Sequence, residues 1–275
     1  MIICAEDLTF AYNDSLMALQ NISFEISAGE CVALTGHNGS GKSTLVKHLN
    51  GLLKPTKGRI LVANKDTATS RTAELASQVA LLFQNPDDQI CKQTVWDEVC
   101  FGPQNLGYDK KKTTTLVQEA LALFELTSFE KKNPHDFGYS ERKRIAMASI
   151  VAMDTPILVF DEPTAGLDSY EMSLLINTLK KLQSENKTVL VISHDMDFVA
   201  ENILRAISLS AGKKVFDGKL RDLFEQTDLM TESGLLHPQT MQLSKACGLY
   251  SSPLSTDECV AAIAEQLGQP SLPNA

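Results

Sequence analysis

One segment carries most of the chemistry legible in this chain: Gly36-His37-Asn38-Gly39-Ser40-Gly41-Lys42-Ser43. It fits the spacing G-x-x-x-x-G-K-[ST]. Glycines at those places let a backbone fold tightly enough to aim successive N–H groups at one anion. A helix opening at Lys42 would add its positive end at the same point. The Lys42 ammonium can reach outer phosphates as a point charge. The Ser43 hydroxyl is a hard-oxygen ligand of the kind Mg2+ takes. With Thr44 in the first helical turn, the segment reads as a phosphate loop for a nucleotide.

Two acids stand where such a loop needs them. The apolar run Ile157-Leu158-Val159-Phe160 leads straight into Asp161-Glu162. Ligands of open parallel sheets lie beyond the carboxyl ends of the strands, so both carboxylates are expected beside the phosphates. Asp161 would hold Mg2+ through water, and Glu162 would orient or deprotonate an attacking water. A positioned general base is worth roughly 10²–10⁴-fold in rate. His194 follows the next buried run, 189–192, and a neutral imidazole there can hydrogen-bond a γ-phosphate or that water. Gln84 follows the run 80–83, and its amide oxygen can ligate Mg2+. The Tyr12 ring can stack on adenine or pack on the core.

Positioning these groups takes an α/β frame. Ile22, Phe24 and Ile26 alternate as a strand does. Cys31-Val32-Ala33-Leu34 is apolar on both faces, which suits a buried parallel strand. A helix is expected over 42–52, a turn over 54–58 and a strand over 59–62. Residues 90–155 read as a helical insert, with helices over 116–126 and 141–153. The core resumes with the strand over 157–160, a helix over 169–185 and the strand over 189–192. Two short strands are expected near Ala206 and Lys214. Residues 219–275 read as a small helical appendage ending in a loose tail, 268–275.

Composition narrows the classes. Of 275 residues, 43% are hydrophobic and 21% charged, which excludes low-complexity disorder. The 25 Lys plus Arg against 34 Asp plus Glu leave a net charge of -9, which argues against a general nucleic-acid binder. The six cysteines form no CxxC pair, so reduced, mostly buried thiols are expected. The N-terminal residues lack the basic flank of a signal peptide. No apolar run approaches the ~18 residues that would span a bilayer.

In this order, the pieces resemble the nucleotide-binding subunit of an ABC transporter over about residues 3–218. The resemblance adds a D-loop, Ala165-Gly166-Leu167-Asp168, and identifies His194 as the switch histidine. Phe83-Gln84-Asn85-Pro86-Asp87-Asp88-Gln89 and the segment 94–107 are similar to the Q-loop region of energy-coupling-factor (ECF) transporter ATPases, including cobalt and nickel importers. The resemblance implies a P-loop ATPase core over 1–218 with an N-terminal antiparallel β subdomain and a helical subdomain at about 90–155, followed by the appendage at 219–275. It implies ATP and Mg2+ as cofactors. It also implies two such chains sandwiching two ATP molecules at the cytoplasmic face of the membrane, with an integral membrane coupling subunit and a substrate-binding membrane subunit.

The chain departs from that pattern at the family's LSGGQ signature, whose place holds Phe137-Gly138-Tyr139-Ser140-Glu141. The signature serine becomes Gly138, the glycines become Tyr139 and Ser140, and Glu141 adds a negative charge. A tyrosine there is expected to crowd a phosphate or to force another loop path. Since the phosphate loop, Glu162 and His194 are complete, the expectation is a heterodimer with one competent and one weakened site. Two other classes stay open: a soluble ATP clamp acting on nucleic acid or ribosomes, and a regulatory ATP-binding subunit with little turnover.

Overall fold

The computed structural model describes residues 1–13, 16–249 and 251–267. The first half runs β1 (Ile3–Asn13), β2 (Leu16–Ile26), β3 (Cys31–Thr35), α1 (Lys42–Leu49), β4 (Lys57–Val62), β5 (Lys65–Asp66), α2 (Thr72–Ala76) and β6 (Val79–Leu82). Three helices follow: α3 (Val95–Asn105), α4 (Lys110–Leu123) and α5 (Tyr139–Ala152). The chain then returns through β7 (Ile157–Asp161), α6 (Ser169–Ser184), β8 (Thr188–Ile192), α7 (Met196–Asn202), β9 (Arg205–Ser210) and β10 (Lys213–Lys219). It continues in α8 (Leu220–Glu225), α9 (Thr227–Ser233), α10 (Gln239–Ala246) and α11 (Thr256–Gln266). The tail expected at 268–275 lies outside the described residues.

Two sheets form the frame. One is four-stranded and antiparallel, in the order β2-β1-β4-β5. The other is six-stranded, in the order β10-β9-β3-β8-β7-β6, and is parallel except for β10. The period of two along its strands divides the core. Val32, Leu34, Val159 and Ile192 face the antiparallel sheet and α1. Ala33, Leu158, Phe160 and Val191 face the helical insert. Each such large apolar side chain contributes on the order of 1.5–3 kcal/mol when buried. Leu220, Phe224 and Met230, beyond β10, belong to the second of these clusters.

Register brings the chemistry to one edge. Leu34 and Asp161 both pair with Ile192, so β3, β8 and β7 end at one level. The phosphate loop, the acid pair and His194 all leave from that level.

Some helix ends differ from expectation. The helix expected over 42–52 stops at Leu49. Gly51 follows it with φ 72, and a Cβ there would lie 2.6 Å from Leu75 Cδ1, so the chain turns away. The helix expected over 116–126 starts earlier, at Lys110, because Asp109 caps it by accepting from the Lys112 N–H. It ends at Leu123, just before Glu125 takes φ 55. The helix expected over 141–153 begins at Tyr139 and ends at Ala152, with Gly138 as its N-cap.

Candidate functional site

The phosphate loop is a tight turn that glycine makes possible at two points. Gly36 has φ 137, and a Cβ there would sit 2.1 Å from the Leu209 carbonyl oxygen. Gly41 has φ 107, and its Cβ would meet the Ala18 carbonyl oxygen and Leu19 Cδ2, each at 2.8 Å. Any side chain at either place would push the loop off the sheet edge. Gly39, by contrast, faces open space.

Lys42 lies across this loop. Its Nζ donates to the carbonyls of Gly36 (2.6 Å) and His37 (3.0 Å). Burial pulls its pKa down, against the opposing pull of Glu162 and Asp161. Outside the loop, His37 Nδ1 is 2.8 Å from the Asn38 carbonyl oxygen and its Nε2 accepts from the Ala211 N–H at 3.4 Å. Ser40 Oγ is buried without a hydrogen-bond partner.

The loop borders an open cleft of about 640 Å³. Tyr12 stands at one end, half exposed, and Gln84 and His194 also line it. The Tyr12 ring meets Phe10 edge-on at 4.9 Å, and its hydroxyl is 3.1 Å from Thr44 Oγ1. A flat ring held in this way can stack on a base.

Asp161 and Glu162 take different environments. Asp161 Oδ2 accepts from Ser43 Oγ at 3.4 Å. Burial raises its pKa, with the Ser43 hydrogen bond and the Lys143 and Lys42 charges opposing. Glu162 sits in the left-handed region at φ 49, a conformation that costs a non-glycine residue about 1–3 kcal/mol. Its N–H donates to the Ile192 carbonyl at 2.9 Å, which ties it to the end of β8. Its Oε2 accepts from the His194 N–H at 3.3 Å. Its Oε1 is buried with no hydrogen bond, 3.4 Å from His194 Nε2. Burial raises the Glu162 pKa, and burial with the Lys42 charge lowers that of His194. The pair is thus a carboxylate of raised basicity beside a neutral imidazole.

Ser43, Asp161 and Gln84 all line the cleft, and their side chains carry hydroxyl, carboxylate and amide oxygens. That donor set fits a hard cation such as Mg2+, and the unpartnered Glu162 Oε1 leaves one further acceptor beside it.

The signature segment turns back onto its own chain. Gly138 caps α5 with φ -66 and ψ 174. The Tyr139 hydroxyl donates to the Gln84 carbonyl at 3.3 Å. Its ring covers Gly166 of the D-loop, where a Cβ would lie 2.7 Å from Tyr139 Cδ1 and Cε1. Ser140 Oγ donates to Glu141 Oε2 at 3.4 Å, and Phe137 packs on Phe129 with centroids 5.1 Å apart. The tyrosine therefore takes a route within the chain.

Three residues at the site escape sequence reasoning. Lys143 is fully buried, and its Nζ donates to the Gln84 carbonyl at 2.6 Å, near the carbonyls of Phe83 (3.4 Å) and Asp161 (3.5 Å). Burial pulls its pKa down to about 8. Arg144 pairs with Glu171 at 3.1 Å, and Glu171 closes a capping box with Asp168 of the D-loop. A signal for Lys143 was available: it shares the stripe i, i+4, i+7 with Met147 and Ile150, an apolar face.

A nucleotide-binding P-loop cassette is what this fold and cleft define. A family model described as ABC transporter matches residues 19–165. The energy-coupling factor transporter ATP-binding protein EcfA of Methanocaldococcus jannaschii is 38% identical over 244 residues, 88% of this chain and 88% of that protein. The solved structure of cbiO1 from Clostridium perfringens, titled as part of the ABC transporter complex cbiONQ, aligns with a TM-score of 0.74 and 32% identity, over 89% of this chain and 98% of that one. A relative in Caldanaerobacter subterraneus, whose own assignment as an ABC transporter ATP-binding protein is provisional, is 40% identical over 261 residues. This chain spans 46% of that relative's length and 39% of a second one. The chain belongs to the ABC transporter ATP-binding family, and its relatives within that family include ATPases of the energy-coupling-factor type.

Proposed function

We propose that this chain is the ATP-binding and hydrolysing subunit that energises an ECF-type membrane importer of a vitamin or a transition-metal ion. In this reading it is one half of an asymmetric ATPase pair. It works at the cytoplasmic face of the membrane with an integral coupling subunit and a substrate-binding membrane subunit. Residues 1–218 form the ATPase domain and 219–275 an appendage to it. The carrying observation is one cleft that gathers a glycine-shaped loop, the buried Lys42, the acid pair and His194.

The geometry supports the following division of labour. Backbone N–H groups of 36–44 and the Lys42 ammonium bind the phosphates, and Tyr12 flanks the base. Ser43, Asp161 and Gln84 would hold Mg2+, which supplies charge neutralisation on the phosphate oxygens. Glu162, whose pKa burial raises, accepts a proton from the attacking water. His194 stays neutral and offers a hydrogen bond toward the γ-phosphate. The asymmetric pairing is supported by Gly138, Tyr139 and Ser140, which lack the serine hydroxyl and the paired glycines a partner's ATP would meet.

The test is to tag the full chain, recover it from gently solubilised native membranes, and identify what accompanies it. A membrane subunit with a second ATP-binding chain that carries an intact LSGGQ is the expected result. Ribosomes or DNA in place of membrane subunits would overturn the importer reading. A homodimer that hydrolyses ATP at ordinary rates would overturn the asymmetric pair.

A further inference from the structure

The Gln84 carbonyl oxygen receives two donors from one helix. Tyr139 Oη lies at 3.3 Å and Lys143 Nζ at 2.6 Å. The two residues are i and i+4 on α5, stacked on one face of the helix. A carbonyl oxygen has two lone pairs, and this pair of donors uses both. The peptide plane at Gln84 is thereby fixed, and with it the direction in which the Gln84 side chain leaves the backbone.

The same helix grips the neighbouring loops. Arg142 Nε is 2.9 Å from Asp87 Oδ1, three residues beyond Gln84. The Tyr139 ring lies on Gly166, and Arg144 holds Glu171, whose carboxylate accepts from the Asp168 N–H. Lys143 Nζ also approaches the Asp161 carbonyl, behind that carboxylate. The start of α5 is thus joined to the Q-loop, the D-loop and the end of β7 of one and the same chain.

We propose that Tyr139 and Lys143 are positioning residues for Gln84: the segment in the signature's place serves its own chain's site, as a two-donor clamp on the Gln84 backbone. The proposal rests on the reading of Gln84 as a magnesium ligand in ATP hydrolysis.

The deciding experiment titrates Mg2+ into the full chain and reads ATP binding with a fluorescent ATP analogue. It uses the wild type, Tyr139→Phe and Lys143→Met. The phenylalanine keeps the ring on Gly166 and removes only the donor, so folding is preserved. For Tyr139→Phe the Mg2+ half-saturation should rise about threefold to tenfold, the range one ordinary hydrogen bond is worth. Affinity for the analogue in EDTA should stay within twofold of wild type. Lys143→Met should shift the titration further, since it removes a charged donor. In the complex recovered from membranes, Tyr139→Phe should lower kcat by a similar factor and leave KM for ATP within twofold. An unchanged Mg2+ titration in Tyr139→Phe overturns the clamp, and so does an equal loss of affinity with and without Mg2+. A wild-type complex no faster than Glu162→Gln would sink the hydrolysis reading, while the Mg2+ titration still decides the clamp.

Discussion

The phosphate loop and the signature segment are both glycine-bearing turns that open a helix, yet their polar groups meet different partners. At the phosphate loop, Gly36 and Gly41 adopt φ values of 137 and 107 so that the backbone can face an open cleft. At the signature position, Gly138 keeps an ordinary φ of -66 and the next residue is spent on contacts within the chain. The first region is built around an anion. The second is built around Gln84 and Gly166. A segment can keep its place in the fold, at the start of α5, without the serine and paired glycines of the family's signature.

The largest expected effect lies on the cleft side. Glu162→Gln should lower turnover of the assembled complex by about 10²–10⁴-fold while ATP binding persists, measured as steady-state hydrolysis against binding of a fluorescent analogue. Unchanged turnover would break the comparison, since the cleft side would then be no more competent than the signature side.

A smaller effect is expected in the pH dependence of stability. Burial raises the Glu162 pKa in the folded chain. A carboxyl whose folded pKa exceeds its unfolded value contributes stability below the unfolded value, and loses it as pH rises through the folded one. Without ligands, Glu162→Gln should therefore melt higher than wild type, by a margin that grows from about pH 4 toward pH 7. Thermal melting across that range measures it. A margin that shrinks with pH would mean that Lys42 and Lys143 already compensate the carboxylate.

The smallest effect sharpens the signature side. Gly138→Ser restores a hydroxyl at the N-cap of α5, where the added Cβ meets only the flexible end of Glu141, at 2.7 Å. Serine in place of glycine at an N-cap is worth a few tenths of a kcal/mol. A slight rise in melting temperature is expected. A marked loss would show that the segment tolerates only glycine there.

The two regions were also unequally legible in the sequence. The phosphate loop, Asp161, Glu162 and His194 could be placed because each follows an apolar run, and strand ends fix where the next residue emerges. The register at Ile192 reproduces that reasoning in space. The starts of α4 and α5 were misplaced because Asp109 and Gly138 act as caps, and capping depends on local backbone geometry more than on hydrophobic period. Lys143 and the Arg144–Glu171 pair were missed for a different reason. Their partners are a backbone carbonyl and a helix cap far along the chain; spacing within the helix could mark Lys143 as facing inward, on the stripe with Met147 and Ile150, but names neither partner.

One contact behind the phosphate loop bears on how this molecule can be engineered. A Cβ at Gly234, just after α9, would lie 2.8 Å from His37 Cβ. Ser210, beside the loop's support, donates to the Glu232 carbonyl at 3.0 Å. A minimal cassette cut at residue 218 would therefore bare the back of the phosphate loop and uncover the part of the core on which Leu220, Phe224 and Met230 pack. In a genetic selection, lesions near residue 234 would score with those of the phosphate loop, although the two segments lie far apart along the chain.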